Sequence, residues 1–184
     1  IKEVKILGKK LHIAATSEDK EFTYIPKEWK ISENPAYLHI TTNNTIRGTE
    51  WKIDPDVPAG VPLIADMSSN FLSKPMDFSK YDMIYGGAQK NIGPAGCTFV
   101  VIKKSMLEKI NPNLPSMMNY DTHVSKDSMF NTPPTFAIYV IGEVLKWIEG
   151  NGGLMGMLKI NKEKAAYIYD VIDGTDFYTG TVVK

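Results

Sequence analysis

Tyr85-Gly86-Gly87-Ala88-Gln89-Lys90-Asn91-Ile92-Gly93-Pro94-Ala95-Gly96 is the stretch on which the reading of this chain turns. One lysine stands among small residues, with four glycines in twelve positions. An apolar run leads in at Met83-Ile84-Tyr85 and another leads out at Thr98-Phe99-Val100-Val101-Ile102. Two readings are open. In the first, a Gly/Pro-rich connection joins two buried strands and Lys90 points into water. In the second, a strand end brings backbone close to a ligand and presents the Lys90 amine as a nucleophile. Partners elsewhere in the chain have to decide.

Composition narrows the field of functions. The 184 residues are 43% hydrophobic and 23% charged, with a formal net charge of zero, enough for one domain with a full core. Neutrality gives no support for nucleic acid or an anionic membrane surface as a partner. No run approaches the length of a membrane span, and nothing near Ile1 reads as a signal peptide. The single cysteine, Cys97, leaves no internal disulfide framework and suits a reducing, cytoplasmic setting. It opens an apolar run and reads as a small buried residue. A chain that starts at Ile1 and stops at Lys184 without a closing signal is expected to be a piece of something longer.

Working outward from the lysine loop, short apolar runs recur with polar residues at their ends. Leu11–Ala15 and Glu21–Tyr24 read as candidate strands. Ala36–Thr41 reads as a buried strand bounded by Asn34-Pro35 and Asn43-Asn44, and Thr42-Asn43-Asn44-Thr45 follows its end. Val61–Ala65 is another apolar run, ending at Asp66. Ser105–Ile110 reads as a helix with Ser105 and Glu108 as a capping box, and residues 111 to 131 as loop. A helix start is expected at Thr132-Pro133, with threonine as cap and proline in the first turn. Phe136, Ala137, Val140, Ile141, Val144, Leu145 and Ile148 then recur at helical spacing as a buried face. Gly150 and Gly152-Gly153 stop that helix. A second one, with Leu154, Leu158, Ala165, Ile168 and Ile172 on one stripe, runs to Asp173-Gly174.

Short β-rich runs separated by crossovers, with helices concentrated later, predict an α/β domain with a mixed, mostly parallel sheet and flanking helices. Ligands gather at the carboxyl ends of strands in such sheets. Thr45, Asp66 and Lys90 all fall at predicted strand ends. An amine, a carboxylate and a hydroxyl in one crevice suit pyridoxal phosphate: the amine binds the aldehyde and moves a proton, and the carboxylate pairs with the ring nitrogen. The Thr132-Pro133 helix start offers an anion site for the phosphate.

Four blocks then carry a resemblance. Gly87-Ala88-Gln89-Lys90-Asn91-Ile92-Gly93-Pro94-Ala95-Gly96 resembles the cofactor-lysine motif of the phosphoserine aminotransferase family. Asn44-Thr45-Ile46-Arg47-Gly48, Ala65-Asp66-Met67-Ser68-Ser69-Asn70 and Met129-Phe130-Asn131-Thr132-Pro133-Pro134-Thr135 are similar to three further blocks of it, in the same order and spacing. The resemblance runs over nearly the whole chain. It implies a fold-type I pyridoxal-phosphate enzyme of class V, with residues 1–184 as an incomplete large domain. It implies that Lys90 forms the Schiff base, that Asp66 pairs with the pyridine nitrogen, and that Thr45 hydrogen-bonds near the ring hydroxyl. Gln89 is implied as a phosphate contact. Asn131 and Thr132 match a pair that reaches the neighbouring subunit's cofactor in a homodimer. The implied reaction moves the amino group of L-glutamate to 3-phosphohydroxypyruvate, giving phosphoserine and 2-oxoglutarate in serine biosynthesis. Bacterial members are also linked to an analogous step in pyridoxine biosynthesis.

The family's glycine-containing phosphate cup, ring-stacking aromatic and small C-terminal domain have no match here, so these residues alone are expected to be inactive. Two other readings compete: another fold-type I aminotransferase acting on a small oxo acid, and a non-catalytic phosphate-binding domain. Substrate choice separates the first, and the absence of a reducible cofactor adduct on Lys90 would mark the second. His12, His39 and His123 lack metal-ligand spacing, and His39 reads as a satisfied buried histidine. Arg47 reads as a surface or interface ion pair. Trp29, Trp51 and Trp147 read as packing residues. The Pro115–Met118 loop is expected to cover the site or touch a second subunit.

Overall fold

Four short β-rich runs pair into one sheet in the computed structural model, which describes residues 1–183. The strands are β1 (Leu38–Thr41), β4 (Leu63–Asp66), β5 (Met83–Gly87) and β6 (Thr98–Ile102), in that spatial order. A two-stranded ribbon, β2 (Asn43–Asn44) with β3 (Thr49–Glu50), follows β1. β1, β4 and β5 run parallel, while β6 returns antiparallel against β5. The sheet is therefore mixed and mostly parallel, as expected. The carboxyl ends of β1, β4 and β5 share one edge, with Thr41 opposite Asp66 and Asp66 opposite Tyr85.

Alternation along the strands gives the sheet two unlike faces. Ile40, Ala65 and Ile84 occupy one cross-strand row, and with Leu63, Met67 and Tyr81 they form the core. Met67 and Ile84 are fully buried, and burying each such side chain stabilises the fold by about 1.5–3 kcal/mol. Phe71 stacks on Phe99 at 4.0 Å between centroids and closes one flank of that core. Trp29 and Trp51 pack edge to face at 5.8 Å, in keeping with the packing role expected of them. Trp147, by contrast, is more than half exposed. The other face carries His39, Asp66 and Tyr85. β1 and β6 are the edge strands, and Val100 and Val101 of β6 are exposed on opposite faces.

Six of the elements differ from expectation or were not expected. α1 (Lys2–Ile6) forms where no helix was read, and none of its residues is buried. Leu11–Ala15 joins no ladder; Lys30 N–H donates to Ala14 O and His12 Nε2 to Lys30 O instead. Glu21–Tyr24 cannot extend, because Glu21 and Phe22 sit at φ 52° and 63°. α2 spans Lys104–Leu107 without a Ser105 cap. Lys103 N–H is held on Asp82 O at 2.9 Å, which sets the helix start one residue early. Residues 111 to 131 include a short α3 (Tyr120–Val124), capped by Asn119. α4 spans Thr135–Gly150 rather than starting at Thr132-Pro133. Pro134 disfavours the helical region for Pro133, so the first turn waits until Thr135. α5 (Gly153–Asp173) ends at Gly174 as expected.

The helices bury less than their periodicity suggests. On α4, Ala137 and Ile148 are buried, Val140, Ile141 and Val144 are half-buried, and Phe136 and Leu145 are exposed. On α5 only Met157 is buried, and Ile168 of the expected stripe is exposed. Cys97 is half-buried and His39 is exposed, so neither is the buried residue expected. Among the described residues no helix is long and apolar enough to cross a membrane.

Candidate active site

β5 delivers Lys90. The strand ends at Gly87 and passes into a 3-10 turn, Ala88–Lys90. Ala88 is fully buried, and its N–H donates to Cys97 O at 2.9 Å, closing the base of the loop between β5 and β6. Asn91 Nδ2 donates to Phe71 O at 2.6 Å on the other side. The loop is thus tied at both ends, and Lys90 stands at its exposed rim.

Thr45 arrives from a different part of the chain. It lies in the turn between β2 and β3, where Asn44 Oδ1 accepts from the N–H groups of Ile46 and Arg47 at 3.2 Å. This Asx arrangement shapes the turn locally. Lys90 Nζ donates to Thr45 Oγ1 at 2.7 Å across 45 positions of sequence. The expected meeting of amine and hydroxyl is present.

Asp66 closes β4, between the carboxyl ends of β1 and β5. Its Oδ1 accepts from Ser68 N–H at 2.9 Å and from Ser68 Oγ at 2.6 Å. Among the described residues nothing hydrogen-bonds Oδ2, and that oxygen is open to solvent. The following loop is clamped from both sides. Met67 N–H donates to Tyr85 O, and buried Thr42 Oγ1 donates to Asn70 Oδ1 at 2.6 Å. Asn70 Nδ2 in turn donates to Glu50, which pairs with Lys74 at 3.0 Å. These bonds tie the Asp66 loop to the Thr45 ribbon.

His39 Nε2 and the Tyr85 hydroxyl lie 2.9 Å apart on the same sheet face as Asp66. Partial loss of solvent around the ring holds the His39 imidazole below its ordinary value, although the residue as a whole is exposed, while the Asp66 charge pulls it partly back. Burial and then the Asp66 charge push the Tyr85 phenol up.

The remaining expected residues stand apart. Gln89 is exposed, and its amide folds back over Gly87 so closely that a β-carbon there would strike it. Asn131 and Thr132 are exposed in the approach to α4, with Asn131 Nδ2 on Met117 Sδ. Among the described residues neither forms a hydrogen bond with Lys90 or Asp66. The helix N-terminus read as an anion site is not built as expected: Thr132 lies outside α4, which starts without a side-chain cap. Arg47 pairs with Glu21 at 3.5 Å at the surface, as expected. A cleft lined by His12–Ala14 and Lys27–Lys30 includes none of these residues. Sequence reasoning gave no role to Ser68, Asn70 or the His39–Tyr85 pair. The Asp-x-Ser spacing at Asp66-Met67-Ser68 is a turn signature that pointed to the first of them.

A family model described as Aminotransferase class-V matches residues 1–183. The chain belongs to the class-V aminotransferases. Its similar class-V relatives include a phosphoserine aminotransferase of Desulfosudis oleivorans, 56% identical over 182 residues, covering 98% of this chain and 50% of that protein. One from Porphyromonas gingivalis is 52% identical, covering 99% and 51%. Among solved structures, the phosphoserine aminotransferase of Bacillus circulans subsp. alkalophilus matches at a TM-score of 0.94 and 46% identity, over 99% of this chain and 51% of that one. A PLP-bound phosphoserine aminotransferase from Trichomonas vaginalis matches at 0.91 and 42%, over 99% and 55%. The class-V chain described here spans about half the length of the curated relatives it matches. The expected α/β fold is thereby borne out.

Proposed function

We propose that the chain is the central part of the large domain of a phosphoserine aminotransferase. The reaction moves the amino group of L-glutamate to 3-phosphohydroxypyruvate and gives phosphoserine and 2-oxoglutarate, with pyridoxal phosphate as cofactor. One observation carries this reading. The Lys90 amine is bonded to the Thr45 hydroxyl at a strand-end edge where Asp66 keeps one carboxylate oxygen unpartnered and open. That donor set fits the cofactor: an amine for its aldehyde, a carboxylate for its ring nitrogen and a hydroxyl for its ring oxygen. The similarity to a PLP-bound phosphoserine aminotransferase supports the same choice.

When bound, pyridoxal phosphate supplies an aldehyde carbon that amines attack and a ring that takes up an electron pair. Lys90 would hold the cofactor through its aldehyde, and its free amine would be the base for the substrate Cα proton. Asp66 would hold the ring nitrogen in its protonated form. Thr45 orients the ring and gives the resting amine a partner. Gln89 supplies an amide to the phosphate. Asn131 and Thr132 act in trans, on the phosphate bound by the second subunit of a homodimer; their exposure supports this. A cytoplasmic setting accords with the lone half-buried cysteine.

The test is borohydride reduction of the natural gene product with added pyridoxal phosphate, followed by peptide mass mapping. A pyridoxyl mass on Lys90 alone, together with formation of 2-oxoglutarate from glutamate, is the expected result. No adduct, or an adduct spread over surface lysines, overturns the proposal.

A further inference from the structure

We propose that Ser68 is a positioning residue that aims Asp66 at the cofactor ring; this rests on the function proposed above. Ser68 puts two donors on one carboxylate oxygen, its N–H at 2.9 Å and its hydroxyl at 2.6 Å, both on Asp66 Oδ1. Two donors converging on Oδ1 fix the rotation of the carboxylate. Oδ2 is left as the oxygen that faces a ligand, without a protein partner and open to solvent. The shorter bond is charge-assisted, the stronger kind.

The same hydroxyl reaches the lysine strand. Gly87 N–H donates to Ser68 Oγ at 3.3 Å, three residues before Lys90. One oxygen therefore links the acid at the end of β4 to the strand end that carries the amine. The backbone is built around that link. A β-carbon at Gly86 would stand 2.8 Å from both Cα and N of Ser68, so only glycine lets β5 approach so closely. Met67, fully buried, donates its N–H to Tyr85 O at 2.8 Å and pins the loop directly before Ser68. A serine that merely closed a local turn would need neither the bond from Gly87 nor the contact with Gly86.

A double-mutant cycle in the natural gene product separates the two roles. The readouts are the apparent Kd for pyridoxal phosphate, titrated into the apo-protein by visible absorbance, and the Tm of the apo-protein. Ser68→Ala is expected to weaken cofactor binding about tenfold, the scale of one hydrogen bond to a charged group. Ser68→Thr, which keeps the hydroxyl, is expected to restore most of it. Ser68→Cys keeps the volume but loses the strong donor, and is expected to show the loss should the alanine variant fail to fold. In an Asp66→Ala background, Ser68→Ala is expected to add no further loss. Unchanged affinity in both Ser68→Ala and Ser68→Cys overturns the inference. An equal loss with and without the Asp66 carboxylate does so as well. Unsubstituted protein that binds no pyridoxal phosphate overturns the proposed function, and this inference with it.

Discussion

Lys90 and Thr45 both serve the proposed chemistry, and each fails differently when removed. Lys90→Ala deletes the amine, so turnover should fall by at least about a thousandfold, within the range for a lost proton-transfer group; steady-state assay with glutamate checks this. Thr45→Val leaves the amine without its hydroxyl partner. Its expected signature is a Kd for pyridoxal phosphate raised about tenfold with little change in Tm, and equal affinity would remove Thr45 from the site. His39 bears on stability rather than chemistry. Its imidazole is held below the ordinary value of about 6.5, so the unfolded state binds more protons as the pH falls. The His39 contribution is therefore complete above about pH 6.5 and is lost as pH drops towards the lowered folded value. Melting curves between pH 7.5 and 5.5 should show a fall in Tm that is shallower in His39→Gln. An identical slope in the two proteins would contradict this.

Elements set where these side chains stand, and β5 is the most constrained. Gly86→Ala would push a methyl into the Ser68 backbone and the Phe99 ring. Backbone cannot yield as a flexible side chain does, so the expected loss of stability is about 1–3 kcal/mol, read from urea unfolding. The sheet was legible because its strands are buried runs rich in β-formers with turn residues at each end, and the strand-end rule then collected Thr45, Asp66 and Lys90. The rest was hidden for physical reasons. Whether Glu21 and Phe22 extend depends on a left-handed turn that no periodicity reports. Where α4 starts depends on one proline acting on another. Helical spacing on α4 and α5 marks faces able to be buried, and Phe136 and Ile168 show that ability and burial differ. Ser68 escaped notice because a serine two residues after an aspartate is common in turns. The Gly87 bond and the close approach of Gly86 set this one apart.

At the scale of the whole molecule, Asn131 and Thr132 are exposed and, among the described residues, make no hydrogen bond to Lys90, which bears on assembly. If the pair serves the second subunit, a Lys90→Ala chain and an Asn131→Ala/Thr132→Ala chain should rescue each other. Unfolding and refolding them together in equal amounts would give hybrid dimers with one complete site, about a quarter of the normal activity for random pairing. No recovery would place the pair in its own subunit's site. The outer strand β6 has a separate consequence. Val100 and Val101 are 40% and 47% exposed and face opposite ways, so this border of the sheet is apolar above and below. Among the described residues its backbone pairs with β5 on one side alone. Such a border recruits strands from other molecules. These 184 residues made by themselves should cloud on concentration, and a Val101→Lys gatekeeper should raise the concentration at which light scattering begins.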